Sequence, residues 1–420
     1  IVLSLITLIL PLVIANSSKA QNWPQFRGPG GNAFSSDMNI PSTWDDSKNM
    51  LWKCALLGKG ASSPIVWKNN IFVTCFTNAA SGIERTLVCI DKNSGKVLWK
   101  SAVKADVQDD PYSGYLTQHG YASSTPATDG ESIFVFFGKA GVVAFDFSGK
   151  ELWKTSVGVK SGNRKWGSAS SVILHKDLVI VNASEESRAV IGLNKKTGAE
   201  VWKAQGDKLE LSYTTPFIFN ASPEKQLIIV PVPNEIWAIN PENGKLAWFA
   251  ETSLNGNISP TIAAKDNLLF CFGGFPQTKA VALKAEGKGD LSKNIVWTST
   301  DSSYVPSPVV KGEHLYWIND RGLAYCAEAA TGKIIYKERL PLKSSGGAAR
   351  PVYASMILVH DKLIAVTRQE GTFVLDASPT FKLISQNKIS DESDFNASPA
   401  ISEGKLFLRS DNCLYCIGNP

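Results

Sequence analysis

Charged and aromatic side chains recur in the segments that separate the short apolar runs of this sequence. Guanidinium and carboxylate groups of both signs around one opening could hold a polar ligand, and a nearby tryptophan offers an aromatic face to a cation. Each of these residues could also be a solvated turn residue, so the prediction depends on which elements bring them together. The candidate ligand-binding residues are Arg164, Trp166, Glu185, Arg188, Asp320, Arg321, Arg368, Arg409 and Asp411.

Common catalytic and metal-binding motifs are missing from the sequence. There is no Gly-x-Ser-x-Gly elbow, no phosphate-binding Walker loop and no EF-hand loop. The four histidines form no pair at metal-ligand spacing. Cys413 and Cys416 are three residues apart, and on a strand they would point to opposite faces. We therefore predict no catalytic residue and no metal site.

An internal repeat must position the candidate residues. The segment DKNSGKVLWK at residues 91–100 has imperfect copies at 146–154, 194–203, 240–249 and 328–337. In each copy an apolar run ends in a polar residue, a turn with glycine follows, and an alternating strand ends on an aromatic residue. This is the pattern of a β-hairpin. The aromatic position recurs on average every 49 residues, at Trp52, Trp99, Trp153, Trp202, Trp248 and Trp297, and we expect Tyr336 and Ile384 to hold it in the last two copies.

A repeat of this length holds about four short strands and has the size of one propeller blade. Seven complete repeats lie between the two ends of the chain, and an eighth can be made from both ends. Residues 51–53 would then pair as the fourth strand with three strands in residues 396–418. Such closure removes unpaired sheet edges. We predict an all-β, eight-bladed β-propeller over residues 51–420, with seven blades as the alternative.

The cysteines offer a check on the closing blade. The hairpin register of the first repeat, transferred to this blade, sets Trp52 opposite Tyr415 and Cys54 opposite Cys413. Directly opposed residues lie near the Cα separation of a disulfide, about 5.5 Å. Export would permit oxidation. We predict a disulfide between Cys54 and Cys413, with two reduced thiols as the alternative, and we interpret the other five cysteines as core residues.

The first 50 residues differ from the repeats. Residues 1–14 are mostly apolar, and Ser18 and Ala20 precede a typical cleavage position before Gln21, so residues 1–20 are predicted to be a secretory signal peptide. Because the sequence starts at Ile1 without a basic segment, we expect its beginning to be truncated. Residues 21–50 are rich in Gly, Pro, Ser and Asn and are predicted to form an extended arm.

Export would place the mature chain in the periplasm or outside the cell, without a transmembrane segment. The net charge of +5 includes no basic run, which argues against nucleic acid as a partner.

Loop lengths predict which end of the ring binds. In a propeller the turns after strands one and three share one face, and those after strands two and four share the other. The second set is long here, at residues 105–121, 160–167, 206–211, 343–352 and 386–395. Repeat folds place such excursions on the binding face. Most of the charged candidates fall in the turns between second and third strands, which should surround the channel mouth on this face.

The DxxxGKxxW pattern of residues 91–99 and its copies resemble the pyrroloquinoline quinone (PQQ)-like β-propeller family over nearly all of residues 51–418. NWPQFRGP at 22–29, GYASS at 120–124 and DFNASP at 394–399 resemble an exported bacterial branch of it. Two kinds of relative matter. One comprises the quinoprotein alcohol dehydrogenases, which hold PQQ and Ca²⁺ over the channel. The other is the non-catalytic B component of the outer-membrane β-barrel assembly machinery.

The resemblance to the dehydrogenases implies cations facing the carboxylates of PQQ, an aromatic floor, convergent oxygens for Ca²⁺ and a carboxylate base. The residues that could supply these parts are Arg164, Trp166, Glu185, Asp320, Arg321 and Asp411. The adjacent Cys-Cys pair of those enzymes is absent from this sequence, and so is a haem-attaching C-x-x-C-H.

A protein-binding scaffold needs only a stable ring whose one face carries long loops with charged and aromatic side chains. We therefore expect an exported, non-catalytic binding or protein-interaction scaffold that takes a protein or a small polar ligand on its loop-rich face and needs no cofactor. The first alternative is a dehydrogenase that uses PQQ and calcium to oxidise alcohols or sugars. The second is a carbohydrate or peptide binder that stacks its ligand on Tyr112, Tyr115, Tyr121 and Trp166.

Overall fold

The computed structural model describes residues 22–79, 82–222, 224–343 and 350–420. The predicted signal peptide lies outside the described residues. Within them the chain forms eight separate sheets, each built on an antiparallel four-stranded meander. First strands of neighbouring sheets contact each other, including those of the first and the last sheet, so the sheets are the blades of a closed propeller. The prediction of eight blades is confirmed.

The strands are given from the channel outwards. Blades 1 to 4 comprise Ile65–Trp67, Asn70–Ala79, Gly82–Asp91 and Val97–Lys104; Ala127–Thr128, Ile133–Phe136, Val142–Phe145 and Glu151–Thr155; Ile173–His175, Leu178–Ala183, Ala189–Asn194 and Glu200–Gln205; and Phe217–Ser222, Lys225–Val232, Glu235–Ile239 and Leu246–Glu251. Blades 5 to 8 comprise Ala263–Lys265, Leu268–Gly273, Lys279–Lys284 and Ile295–Ser299; Val309–Lys311, His314–Ile318, Leu323–Glu328 and Ile334–Arg339; Ile357–Val359, Lys362–Val366, Thr372–Asp376 and Leu383–Asn387; and Ala400–Ser402, Lys405–Arg409, Cys413–Ile417 and Met50–Ala55.

Short elements complete the described chain. Phe34–Ser35 and Gly289–Asp290 add parallel strands to blades 7 and 4. Two helical turns lie on the loop-rich face, at Leu116–His119 and Ser184–Ser187. The 3₁₀ turns are Pro29–Gly31, Gly138–Ala140, Asp207–Leu209 and Ser292–Asn294. None of the helices in the described ranges has the length and apolar character that crossing a membrane requires.

The ring closes as predicted, but its register differs by one residue. Met50–Ala55 pairs antiparallel with Cys413–Ile417, with Trp52 opposite Cys416 and Cys54 opposite Leu414. A β-bulge between Met50 and Trp52 adds the extra residue. The prediction that Cys54 faces Cys413 is therefore wrong, and both residues are free, buried cysteines. They are still neighbours, since Cys413 lies opposite Ala55, the residue that follows Cys54. Burial and, to a lesser extent, the nearby Cys413 raise the pKa of the Cys54 thiol.

An equivalent bulge in blade 7 changes which residue holds the repeat position there. It separates Leu383 from Ser385, so Ser385 holds the aromatic position and Ile384 is an exposed residue beside it. The expectation for Ile384 was wrong. Ser385 donates a hydrogen bond to the carbonyl of Ser42, so the N-terminal arm covers this position in place of a tryptophan.

The recurring motif joins neighbouring blades. Trp99 of blade 1 donates from its indole N–H to the carbonyl of Phe147 in the outer turn of blade 2, at 2.8 Å. Gly149 in that turn has a φ of +86°, and a Cβ there would lie 2.6 Å from the Trp99 ring. Four further tryptophans donate in the same way, namely Trp52, Trp153, Trp202 and Trp297. The tryptophan and the glycine of the motif are thus the two sides of one contact between blades.

Candidate functional site

Equivalent hydroxyl side chains line the central channel, one from the position two residues before each first strand. The backbone N–H of Ser63 in blade 1 donates to Thr125 Oγ1 in blade 2 at 2.9 Å. The N–H of Thr125 in turn donates to Ser171 Oγ in blade 3 at 2.9 Å. Four further bonds of this kind join Ser171 to Thr215, Thr261 to Ser307, Ser307 to Ser355 and Ser355 to Ser398. The channel wall is therefore polar, but most of its hydroxyl oxygens already accept a hydrogen bond from the neighbouring blade.

The N-terminal arm closes the end of the channel opposite the long loops. Trp23 forms a β-bridge with Val66, and Phe26 reaches the channel lining. Arg27 is buried, and it donates from Nη2 to the carbonyl of Pro308 at 2.6 Å. Burial lowers the pKa of Arg27 to about 9. The arm thus makes the channel blind at this end.

Five aromatic side chains cover the channel at its loop-rich end; we call them the aromatic layer. They are Tyr115, Trp166, Tyr213, Tyr304 and Tyr353. The Tyr115 ring centroid lies 5.0 Å from that of Trp166, 6.3 Å from Tyr304 and 6.4 Å from Tyr353. Trp166 lies 6.1 Å from Tyr213. The free space between this layer and the arm is about 90 Å³, enough for a few water molecules.

Three arginines lie over rings of the aromatic layer; we call them the mouth arginines. Arg164 lies 5.1 Å from the Trp166 ring centroid, Arg350 lies 4.4 Å from Tyr304 and Arg368 lies 5.1 Å from Tyr353. These distances are within the range of cation–π attraction. The loop-rich end of the channel is therefore both aromatic and cationic.

His119 lies beneath this layer. Its Nδ1 is 3.1 Å from Ser123 Oγ, and burial lowers the pKa of the imidazole to about 4. The ring is therefore neutral near pH 7, which suits a packed side chain.

A second, charged pocket lies beside the channel. The helical turn Ser184–Ser187 buries both Glu185 and Glu186. Glu185 accepts hydrogen bonds from the Gly162 N–H and from the Tyr213 hydroxyl, each at 2.9 Å. Glu185 thereby positions a ring of the aromatic layer.

The neighbouring Glu186 is differently placed in this pocket. Its Oε1 accepts a hydrogen bond from Ser168, whereas Oε2 has no hydrogen-bond partner among the described residues. Burial raises the pKa of this carboxyl to about 7. Glu186 therefore holds its proton far more readily than an exposed glutamate does.

The structure brings part of the predicted site together. Arg164, Trp166 and Arg368 meet at the mouth. Asp320 joins them through Arg350, with Arg350 Nε 3.6 Å from Asp320 Oδ2. Glu185 supports the layer from the side through Tyr213.

The other predicted residues lie outside the mouth and form structural or surface contacts. Arg409 is buried and donates to the carbonyls of Ser62 and Thr74, so it holds strands together. Asp411 lies near Arg409 and interacts with it electrostatically, and burial raises the pKa of Asp411. Arg188 forms surface ion pairs with Asp207 and Glu210, at 3.2 and 2.8 Å. Arg321 is exposed, and in the described chain it has no contact with an aromatic ring.

Sequence reasoning missed Arg350, Tyr213, Tyr304 and Tyr353. A signal was present, because Tyr213 and Tyr353 each stand two residues before a channel-lining hydroxyl, and Tyr304 stands three before one. A tyrosine at this spacing in three blades marks the rim of the channel.

The channel does not fit calcium and a flat quinone. Within the described residues its lining contains hydroxyls, aromatic rings, one histidine and one asparagine but no carboxylate, whereas Ca²⁺ takes six to eight oxygens and favours carboxylates. No cluster of metal-binding side chains is found in the described ranges. One face of each of Trp166, Tyr304 and Tyr353 is already covered by a guanidinium.

The ring and its repeated Asx-glycine-tryptophan turns define a PQQ-like β-propeller. The chain belongs to the family described as outer membrane protein assembly factor BamB, whose model matches residues 84–338, more than half of its length.

Known proteins share this fold at low sequence identity. The chain is 22% identical to tetrathionate hydrolase of Acidithiobacillus ferrooxidans over an alignment of 409 positions, which covers 90% of this chain and 68% of that protein. The structure resembles a europium-containing methanol dehydrogenase with a TM-score of 0.67 and 11% identity, over 95% of this chain and 98% of that one. It resembles BamB from Moraxella catarrhalis with a TM-score of 0.59 and 12% identity, over 88% and 99% of the two chains. At these identities the structural likeness establishes the fold alone.

Proposed function

We propose that this chain is an exported, non-catalytic binding propeller that engages its partner or ligand on the loop-rich face. The observation that carries the proposal is the blind channel, closed by the arm at one end and by the aromatic layer at the other. The groups that can contact a ligand or partner are therefore the mouth arginines and the aromatic layer beneath them, at the surface of one face. Membership of the BamB family supports a scaffold role.

The donor set of the channel supports binding rather than alcohol oxidation. A dehydrogenase of the PQQ type needs a carboxylate beside the reacting alcohol to accept its proton. The carboxylates nearest the mouth already have partners: Asp320 lies beside Arg350, Asp394 lies beside Arg368, and Glu185 accepts from Tyr213 and Gly162.

Dye reduction separates the two functions. The full mature chain is incubated with PQQ and CaCl₂, and reduction of an artificial electron acceptor is followed with a panel of primary alcohols and sugars. We expect no turnover above a reaction without protein, while the thermal unfolding midpoint shows that the protein remains folded. Steady turnover that depends on both PQQ and calcium would refute the proposal.

A peptide or carbohydrate binder is a second candidate, favoured by an aromatic cluster on the same face. Tyr112 is 38% exposed, and its ring lies 5.7 Å from Tyr121 and 5.7 Å from Phe76. Arg85 lies 5.4 Å from the Tyr121 ring. Fluorescence titration with neutral oligosaccharides and with tyrosine-rich and acidic peptides tests it, using Tyr112→Ala. Saturable binding that this variant loses would favour the second candidate, whereas binding that survives it or an absence of binding would reject a stacking role for Tyr112.

The exported location is part of the proposal and has its own test. N-terminal sequencing of the protein recovered from outside the cytoplasm should begin at Gln21, after Ala20. Recovery only from the cytoplasm with residues 1–20 attached would contradict export.

A further inference from the structure

We propose that the three mouth arginines form a site for a compact polycarboxylate, bound on the loop-rich side of the aromatic layer. This inference rests on the proposed binding function and names the class of ligand that the mouth would take. The three arginines converge, their hydrogen-bonding capacity is incompletely used, and the rings beneath them are each covered on one face.

The mouth arginines converge on one ring. Trp166, Tyr304 and Tyr353, the rings that they cover, each lie within 6.4 Å of Tyr115, centroid to centroid. Arg350 and Arg368 both lie close enough to the Tyr115 hydroxyl to act on it electrostatically. The three guanidinium groups therefore surround Tyr115 at the mouth.

Existing partners leave the guanidinium groups with spare capacity. The atoms of the Arg350–Asp320 pair are 3.6 Å apart, and those of the Arg368–Asp394 pair are 3.5 Å apart. Both separations exceed the 2.7–2.9 Å of a close charge-assisted hydrogen bond. Arg164 is exposed and has no carboxylate partner within the described chain.

Arg368 shows this spare capacity most clearly. Its side chain is only 15% exposed, and its Nη1 already donates to Gln118 Oε1, but its Nε has no hydrogen-bond partner among the described residues. A buried N–H without an acceptor is costly, and a ligand oxygen would remove that cost.

The surroundings favour carboxylates over flat rings or sugars. A guanidinium lies over one face of each covered ring, so a flat ring system would have to displace it to stack there. The edges of the guanidinium groups remain, and these match carboxylates in a two-pronged geometry. The free space below, about 90 Å³, is small compared with the several hundred Å³ of typical ligand pockets, so the ligand body stays at the mouth.

Calorimetric titration of the full mature chain with citrate at low ionic strength tests the site. We expect saturable binding that Arg164→Gln and Arg368→Gln each weaken at least tenfold, because each removes charge-assisted hydrogen bonds. Arg321→Gln is the matched control, since it makes the same charge change on the same face without touching the aromatic layer; its Kd should stay within twofold of the wild type. Arg164 is exposed, so its variant should fold even if Arg368→Gln does not.

Three outcomes would overturn the inference. The first is no citrate binding at millimolar concentration. The second is an equal loss with Arg321→Gln, which would mean general attraction to a basic face. The third is tenfold tighter binding of PQQ than of citrate with the same dependence on Arg164, which would mean that a flat ring is the preferred ligand. Failure here leaves the dye-reduction result untouched, so it can be told apart from failure of the proposed binding function.

Discussion

Replacing Glu186 by glutamine should change how the stability of the protein depends on pH. The carboxyl is buried, Glu185 and Lys139 are the charged groups that influence it, and Ser168 donates to it. Its pKa is raised from 4.5 to about 7, mainly by burial. Between these values the folded protein binds the proton and the unfolded chain has released it. The free energy of unfolding contributed by this group therefore falls as pH rises through that window.

The magnitude follows from the size of the shift. A separation of about 2.5 units, from 4.5 to about 7, corresponds to roughly 3 kcal/mol at about 1.4 kcal/mol per unit. This cost is absent below pH 4.5 and complete above pH 7 or so. Glutamine keeps the shape of the neutral acid and cannot ionise, so the variant escapes the cost.

Urea unfolding of both proteins at pH 5 and pH 8 measures the effect. Relative to the wild type, the free energy of unfolding of Glu186→Gln should rise by about 3 kcal/mol between pH 5 and pH 8. The rise is smaller by the part of the cost that the wild type already carries at pH 5. Buried His119 acts in the opposite direction, because its pKa is lowered to about 4 and its contribution is lost as pH falls from 6.5 to 4. It is common to both proteins and cancels in the difference. Glu151→Gln, an exposed control, should show no such change.

A Glu186→Gln variant that alters stability by the same amount at both pH values would contradict this prediction. That result would mean that the carboxyl ionises in the folded protein as easily as in the unfolded chain.

Two further changes test the contacts between blades. Thr125→Ala removes the hydroxyl that accepts from the buried N–H of Ser63, and chemical denaturation should show a loss of about 1–3 kcal/mol; a loss near zero would mean that the channel hydrogen bonds contribute little. Gly149→Ala places a methyl 2.6 Å from the Trp99 ring, and it should lower the unfolding midpoint more than Gly289→Ala, which shares the positive φ but has nothing within 4 Å of its Cβ position. Equal effects of the two alanine variants would show that backbone conformation, and not the tryptophan contact, requires the glycine of the motif.

The local sequence pattern predicted the fold well because each repeat contains the turn and strand residues of its own hairpin. The aspartate of the motif accepts hydrogen bonds from the turn that follows, as Asp91 does from the N–H and hydroxyl of Ser94, and the glycine makes room for the tryptophan of the preceding blade. The ring closure followed from counting strands at the two ends. The register did not, because a bulge such as that between Met50 and Trp52 leaves no sign in residue spacing.

The site was harder to predict, since it is assembled from separate blades. Arg164 and Trp166 are close in sequence and were found, whereas Arg350 lies over Tyr304, 46 residues away. Arg409 was predicted to lie in a turn like that of Arg368, yet it ends the strand Lys405–Arg409, points into the protein and donates to the carbonyls of Ser62 and Thr74. The direction of a side chain at such a position depends on the neighbouring blade, which sequence spacing does not reveal.

Hydroxyl-radical footprinting with and without citrate tests most directly whether the loop-rich mouth is the binding face. We predict that oxidation of Tyr115 and Trp166 falls when citrate is added, while oxidation of Leu98 and Leu152 on the outer strands stays the same. Unchanged oxidation at the mouth, or protection confined to the outer strands, would contradict the account.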